Sequence, residues 1–125
     1  MTAEVAIRAL DFSASIDRDA DGITLRIEGS ADSAVAMSLE PLVARLHGEL
    51  VGAGARAVAV DLRTLEFMSA SCFTVFVEWL NLVNELEPAR RYRLVFASSS
   101  AIPWQRRSLK TLSCFAVDLV TVEAT

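Results

Sequence analysis

A stretch at the centre of the chain, residues 57–86, constrains the fold more than any other part of the sequence. Its first part, 57–62, is apolar and rich in valine and closes on Asp61 and a leucine, a pattern that predicts a strand buried on both faces. After a short turn at 63–68, residues 69–86 contain neither Gly nor Pro, which predicts a helix of four to five turns at about 3.6 residues per turn. In open α/β sheets, binding sites usually lie at such a strand-to-helix junction.

Further strands and helices are predicted to alternate on both sides of this stretch. A polar turn ending in Gly22 precedes strict apolar–polar alternation at 23–28, which predicts a hairpin between this strand and an edge strand before it. Short links and right-handed crossovers then imply a mixed sheet that is mainly parallel after its antiparallel start. The predicted elements are an edge strand within 5–17, strand 23–28, a loop at 29–33, a helix ending near 51, strand 57–62, helix 69–86, a turn at 87–91, strand 92–97, helix 104–114 and strand 117–122.

Pro41 complicates the first helix. Apolar residues recur at helical spacing over 35–50, but a proline inside a helix removes a hydrogen bond and costs about 3 kcal/mol. The favoured interpretation is that Ser38 caps a helix that begins near Pro41. The alternative is a longer helix that kinks at the proline.

The second predicted helix is apolar over an unusually wide arc. At about 100° per residue its apolar side chains span roughly 220°, whereas a surface helix needs a stripe of only about 100°. Either neighbouring helices cover the flanks, or a flank led by Val75, Trp79 and Leu82 is exposed for a partner or a second subunit to bury, which leaves a homodimer open. The residues predicted to form the core are Val58, Val60, Leu62, Phe73, Phe76, Leu80, Leu94, Phe96, Leu109 and Leu112.

Composition narrows the class of protein. At 125 residues the chain is expected to be one domain, 1–125, burying about 65% of the surface of its unfolded chain. With 53% hydrophobic and 22% charged residues it is expected to fold, and its net charge of −4 offers no basic field for nucleic acid. No apolar run reaches the roughly 18 residues of a membrane span, and the first residues lack a basic leader, so no membrane contact and a cytoplasmic location are expected.

Catalytic and metal chemistry find little support in the sequence. A nucleophilic Cys72 or Ser71 would need a base, and the one histidine, His47, is expected on the solvated surface of the first helix. The aspartates of the 17–22 turn lack the spacing of a calcium loop and are interpreted as solvating the hairpin. Cys72 and Cys114 are predicted to be reduced, buried thiols. No catalytic residue, metal or cofactor is assigned, and the chain is predicted not to be an enzyme.

Half of the basic residues cluster in one part of the chain. Six of the 12 Lys and Arg fall within 90–110, and they predict either a solvated face or a surface that complements an acidic protein and mainly raises its association rate. They are Arg90, Arg91, Arg93, Arg106, Arg107 and Lys110.

The central stretch resembles the core of the STAS domain, the fold of bacterial anti-sigma factor antagonists. The family pattern is an apolar strand ending in Asp-Leu, then an aromatic–apolar pair, then Asp-Ser-Ser-Gly-Leu opening a helix. In this chain VDL at 60–62 matches the strand end, FM at 67–68 matches the pair, and SASCF at 69–73 falls on the last segment. The resemblance covers roughly residues 20–122. It implies a STAS-like α/β fold with an N-terminal antiparallel hairpin and helices mainly on one face of the sheet.

The phosphorylation motif of the family is only partly kept. Ser69 stands at the acidic position, Ala70 at the serine that partner kinases phosphorylate, and Cys72 at the glycine, so only Ser71 matches. Since alanine has no hydroxyl, no phosphate can form at the usual position. If a kinase acts here, Ser71 is the expected acceptor ahead of Ser69, which is well placed to cap the helix.

The resemblance implies that this chain binds a protein through the loop and the start of the second helix. The expected partner is an anti-sigma factor or a GHKL-type serine kinase of a bacterial partner-switching system that regulates transcription. The alternative is a small-ligand sensor domain of STAS fold that uses a cavity at the same junction. The predicted partner-binding residues are Ser69, Ala70, Ser71, Cys72, Thr74 and Val75.

Overall fold

The computed structural model describes residues 2–125. These residues form seven strands and three α-helices. A single 3-10 turn, Pro88–Arg90, separates the second helix from the strand after it. In chain order the strands and helices are β1 (Thr2–Arg8), β2 (Phe12–Asp19), β3 (Gly22–Ala31), α1 (Ser33–Gly52), β4 (Ala57–Asp61), β5 (Leu65–Met68), α2 (Ala70–Asn84), β6 (Arg93–Ser98), α3 (Pro103–Phe115) and β7 (Val120–Ala124).

The strands form one mixed sheet in the order β1-β2-β3-β4-β6-β7, with β5 paired to the end of β3. The pairs β1–β2 and β2–β3 are antiparallel, and the pairs from β3 onward are parallel. The predicted mixed sheet with an antiparallel start is therefore confirmed. The segment predicted as one edge strand is two strands, because the chain reverses after Arg8 and Ala9 N donates to Phe12 O at 2.8 Å.

A glycine fixes this extra hairpin against the rest of the sheet. Gly29 has a φ of 94°, and a Cβ at this position would lie 2.0 Å from the backbone oxygen of Asp11. Ser30 N donates to the same oxygen at 2.7 Å. Only glycine permits this close approach between β3 and the β1–β2 turn.

The helices cover one face of the sheet, as expected. In β4, Val58 and Val60 face the helices and are buried, whereas Ala57 is exposed and Ala59 half-buried. The prediction that this strand is buried on both faces is therefore wrong. Its outward positions are small alanines, which look apolar in the sequence but lie on the uncovered face.

The first helix begins earlier than predicted. Asp32 caps it, and its Oδ1 accepts from Ala34 N at 3.0 Å and from Val35 N at 3.2 Å. Pro41 lies inside the helix, so the interpretation with Ser38 as the cap is wrong. Val35 and Leu39, which precede the proline, are buried in the core, and this burial offsets the local cost of the proline.

Two other boundaries differ from the sequence analysis. The predicted turn at 63–68 contains β5, which pairs with the end of β3, and the predicted loop at 29–33 is shorter because β3 continues to Ala31. The last strand, β7, starts three residues later than expected, after Leu119 N has closed a turn onto Ala116 O at 2.9 Å. These elements are set by pairing with distant strands, which the local pattern does not record.

Most of the residues predicted to form the core are buried. Of the ten, only Phe73 is not fully buried and lies half-exposed at the margin. Val75 and Trp79 are buried against α1, so a neighbouring helix covers most of the wide apolar arc of α2, while Leu82 stays half-buried. Cys72 is buried but Cys114 is exposed, which corrects the prediction of two buried thiols.

A hydrogen-bonded chain of three side chains joins α1, α2 and the start of β6. Trp79 Nε1 donates to Tyr92 OH at 2.7 Å, and Tyr92 OH lies 2.6 Å from His47 Nδ1. Burial raises the pKa of Tyr92 to about 12 and lowers the pKa of His47. The solvated surface position predicted for His47 is therefore wrong, because its ring is half-buried and hydrogen-bonded to Tyr92 OH.

Candidate functional site

The loop before α2 lies at the carboxyl end of β3 and β5, where the N-termini of α1 and α2 meet. Ser69 N donates to Ala31 O at 2.8 Å, and Cys72 Sγ lies 3.3 Å from Asp32 O. These contacts fix the first turn of α2 against the first turn of α1. The predicted strand-to-helix junction thus lies at an end of the sheet, the usual place for a binding site in this class of fold.

Ser69 caps α2, as the sequence predicts. Its backbone is extended, with φ −70° and ψ 163°, and its Oγ accepts from Cys72 N at 3.2 Å. This bond satisfies one of the free N–H groups at the start of the helix. The Ser69 hydroxyl is therefore committed to the helix.

Ala70, Ser71 and Thr74 form the exposed surface of the first turn of α2. Thr74 Oγ1 donates back to Ala70 O at 3.0 Å, whereas the Ser71 hydroxyl has no hydrogen-bond partner within residues 2–125. The predicted residues Cys72 and Val75 have side chains that are 0% and 3% exposed. Cys72 supports the surface from beneath, and Val75 presents only a small part of its side chain at the surface.

Three exposed apolar side chains at this end of the fold are not among the predicted partner-binding residues. They are Leu10, Met37 and Phe67, which are 98%, 82% and 50% exposed. Met37 lines a cavity of about 370 Å³ together with Ser71 and Thr74. The signal for Met37 is an apolar residue beside the buried stripe of α1, but its position next to α2 depends on the packing of the two helices.

Asp61, the acidic residue of the strand-end motif, holds the loop between β4 and β5. Its Oδ1 accepts from Arg63 Nε at 3.0 Å and from Arg63 N at 3.1 Å. Its Oδ2 accepts from Arg63 Nη2 at 2.9 Å and from Arg26 Nε at 3.3 Å. Arg63 first and Arg26 second hold the pKa of Asp61 at about 2, below its ordinary 3.8.

We expect Asp61→Asn to lower the free energy of unfolding by about 1–2 kcal/mol at neutral pH, a value below the full pKa conversion because Arg63 is half-exposed. Since the folded-state pKa is depressed, this stabilisation is present above the ordinary pKa and is lost as the pH falls toward about 2. Urea denaturation of wild type and variant from about pH 7 down to about pH 3 should show the gap narrowing below about pH 4. A gap that stays constant over this range would contradict the assignment. Asp118→Asn, at an exposed position, is the control.

The structure does not assemble a catalytic pair or a metal site from the residues considered. Burial raises the pKa of Cys72, the opposite of an activated thiol. His47 shares the Tyr92 hydroxyl with Trp79, which lies about 10 Å further along α2 than Cys72 at 1.5 Å per residue. Within residues 2–125 no three His, Cys, Asp or Glu side chains converge to hold a metal ion, and no helix there is long and apolar enough to cross a membrane.

The basic residues of 90–110 divide into two groups. Arg91 donates to Asn84 O at 2.8 Å, and Arg93 donates to Thr121 Oγ1 at 2.7 Å, so these two hold the links around β6. Arg106, Arg107 and Lys110 are exposed on α3, and Arg90 is exposed at the end of the 3-10 turn. The cluster is thus partly structural, and its remainder lies outside the α2 surface.

Comparison with solved structures identifies the fold. An anti-sigma factor antagonist from Mycobacterium paratuberculosis matches with a TM-score of 0.61 at 14% identity, over 88% of this chain and 85% of that one. SiaC from Pseudomonas aeruginosa, solved in complex with the diguanylate cyclase SiaD that it activates, matches with a TM-score of 0.63 at 15% identity, over 98% of this chain and 100% of that one. No protein-family model and no curated protein matches the chain. The STAS-like fold implied by the central stretch is therefore confirmed.

Proposed function

We propose that this chain is a non-enzymatic regulator that binds a protein partner through the loop before α2 and the first turn of α2. The observation that carries the proposal is the exposed surface of Ala70, Ser71 and Thr74 at the end of the sheet, supported by a capped helix start. The partner is an anti-sigma factor or a GHKL-type serine kinase of a cytoplasmic, bacterial partner-switching system that controls transcription. Likeness in fold to an anti-sigma factor antagonist supports this choice.

The second solved neighbour broadens the range of outputs. SiaC is the activator of a diguanylate cyclase, so a protein of this fold also regulates an enzyme by binding it. The surface proposed here requires only a protein that fits the first turn of α2. A cyclase-type partner is therefore a variant of the same proposal.

The partner is bound without phosphorylation at the usual position. Ala70 occupies that position and has no hydroxyl, and the Ser69 hydroxyl is engaged by Cys72 N. Ser71 is the remaining hydroxyl of the first turn that is both exposed and free of bonds within residues 2–125. Control by phosphorylation, where it occurs, acts through Ser71 by adding about −1.5 to −2 charge to the contact.

We expect Ser71→Asp to weaken binding of the native partner at least about tenfold, whereas Ser71→Ala changes it less than about twofold. The physical reason is that a carboxylate in the contact must be desolvated, while a methyl group need not. The partner is obtained by pull-down from the native host, guided by kinase-like genes beside this one, and affinities are measured by calorimetry. Thr111→Asp is the control, because it adds the same charge at an exposed position of α3, outside the proposed contact.

Two results would count against the proposal. Equal affinities for wild type and Ser71→Asp would remove the first turn of α2 from the interface. Stoichiometric phosphate at Ser69 in protein purified from its own host, detected by mass spectrometry, would overturn the argument that capping commits this hydroxyl.

A further inference from the structure

A groove runs between α1 and α2 from the proposed partner surface toward the middle of both helices. Its upper part is the cavity beside Ser71, about 370 Å³, and its lower part is a cavity of about 310 Å³ that reaches Leu82. The two cavities share Glu40, Val75 and Glu78, so they form one continuous surface, called here the α1–α2 groove.

The base of the α1–α2 groove is apolar. Val43 and Val75 line its floor and are buried, and Leu82 is half-buried at its lower end. Met37, which is 82% exposed, forms the wall beside the upper cavity. Methionine adapts its shape to a docked apolar side chain, which suits this position to binding.

The rim of the α1–α2 groove is acidic. Glu40 from α1 and Glu78 from α2 are exposed on opposite sides of it, and neither forms an ion pair within residues 2–125. None of the residues that line the two cavities is Lys or Arg. The groove therefore combines an apolar floor with two uncompensated negative charges.

We infer that the α1–α2 groove is the seat of a basic amphipathic helix of the partner protein, which continues the contact made at the first turn of α2. Apolar side chains at i, i+3, i+4 and i+7 of that helix pack on the floor, and Lys or Arg side chains on its flanks face Glu40 and Glu78. An uncharged end of the helix covers Ser71, where a carboxylate would be desolvated without a cation beside it. The inference rests on the proposed function, because it extends the same interface and specifies the chemistry of the partner.

A helix fits this groove better than an extended segment. Both walls are helices whose backbone groups are already bonded, so a docked strand would find no sheet edge to pair with. From Ser71 to Leu82 the groove follows α2 for about 17 Å at 1.5 Å per residue, which matches about three turns of a docked helix. A helix satisfies its own backbone groups and offers one apolar stripe, as the groove requires.

The test uses a designed amphipathic peptide of about five helical turns, with leucines at helical spacing on one face and lysines on the flanks. Titration into the isotopically labelled protein at about 150 mM salt should shift the backbone signals of Met37, Glu40, Ala44, Glu78 and Leu82. A peptide with the same leucines and with glutamate in place of lysine should bind at least about tenfold more weakly. Absence of binding, or shifts spread over β7 and α3, would overturn the inference.

Variants of the acidic rim complete the test. Glu40→Lys combined with Glu78→Lys should reduce affinity for the lysine peptide at least about tenfold, and the isosteric Glu40→Gln with Glu78→Gln should reduce it by a smaller factor. Glu87→Lys combined with Glu123→Lys makes the same change in net charge at exposed positions outside the groove and should leave the affinity unchanged. Equal losses for both pairs of lysine variants would mean that net charge alone drives binding, and would overturn the inference.

The native partner separates this inference from the proposed function. If Ser71→Asp weakens partner binding and the rim variants do not, the first turn of α2 is the interface and the groove is not. If the rim variants weaken binding and Ser71→Asp does not, the groove is the interface and the proposed contact at Ser71 fails.

Discussion

Phe76→Ala is expected to lower the free energy of unfolding by about 3–5 kcal/mol. Phe76 is 0% exposed at the contact between α2 and the sheet. Its ring centroid lies 6.0 Å from that of Phe96 in an edge-to-face arrangement and 6.2 Å from that of Trp79. Truncation removes these aromatic contacts and leaves a cavity between the helix layer and the sheet, which the parallel strands cannot close by a small shift.

Chemical denaturation of wild type and variant measures this loss. Phe67→Ala is the matched control, because the same group is deleted from a side chain that is 50% exposed, and its cost should stay below about 1 kcal/mol. A loss below about 1 kcal/mol for Phe76→Ala would mean that the packing of α2 on the sheet differs from that described.

The parts of the fold that could be predicted are those that local pattern determines. The buried face of α2 is recorded in its apolar spacing, and the cap at Ser69 is recorded in a hydroxyl placed just before a run without Gly or Pro. The alternation at 23–28 likewise identified the half-buried β3. In each case the pattern lies within one contiguous segment of the chain.

The parts that could not be predicted depend on contacts between distant segments. β5 forms because Leu65 pairs with Gly29 of β3, and nothing within the 63–68 segment records that partner. Pro41 is tolerated inside α1 because burial of the flanking leucines outweighs a local cost. A lone helical histidine beside Gly48 and Glu49 predicts a surface position for His47, yet Tyr92 OH lies 2.6 Å from its Nδ1 across the fold.

The candidate site shows the same division. Ser69, Ala70 and Ser71 were found because they are consecutive and match a pattern, and the structure exposes Ala70 and Ser71. Met37 could not be found, because it joins this surface only where α1 lies alongside α2. The acidic rim was missed for the same reason, since Glu40 and Glu78 belong to different helices.

Gln105 is the clearest example of a residue whose role the sequence hides. It lies in α3 beside Trp104 and two arginines, where a solvated position would be expected, yet it is 0% exposed. Its Nε2 donates to Leu62 O and to Leu65 O, and its Oε1 accepts from Ser99 N at 2.8 Å. One side chain therefore satisfies three backbone groups of the loops that follow β4 and β6.

These loops support the candidate partner surface. The segment between Leu62 and Leu65 leads into β5, and β5 leads directly into Ser69. Trp104 Nε1 donates to Glu66 O at 2.7 Å, so the first turn of α3 holds β5 at a second point. The position of the α2 surface thus depends on hydrogen bonds made by α3, which is not part of that surface.

We expect Gln105→Leu to lower the free energy of unfolding by about 2–4 kcal/mol. Leucine keeps most of the volume, but Ser99 N and Leu65 O lose their bonds to the Gln105 amide at about 1–3 kcal/mol each. Leu62 O keeps its bond from Leu65 N. Amide exchange at Ser99 should quicken, since its acceptor is lost, and exchange at Ser69 and Cys72 should quicken to a smaller extent as β5 loosens.

Arg106→Leu is the control, because it makes a similar change at the next, exposed position of α3, and it should alter the free energy of unfolding by less than about 0.5 kcal/mol. Chemical denaturation and hydrogen exchange are measured on wild type, Gln105→Leu and Arg106→Leu. A loss of unfolding free energy below about 1 kcal/mol for Gln105→Leu, with unchanged exchange at Ser99, would show that the loops keep their conformation without Gln105. It would contradict the conclusion that α3 stabilises the partner surface.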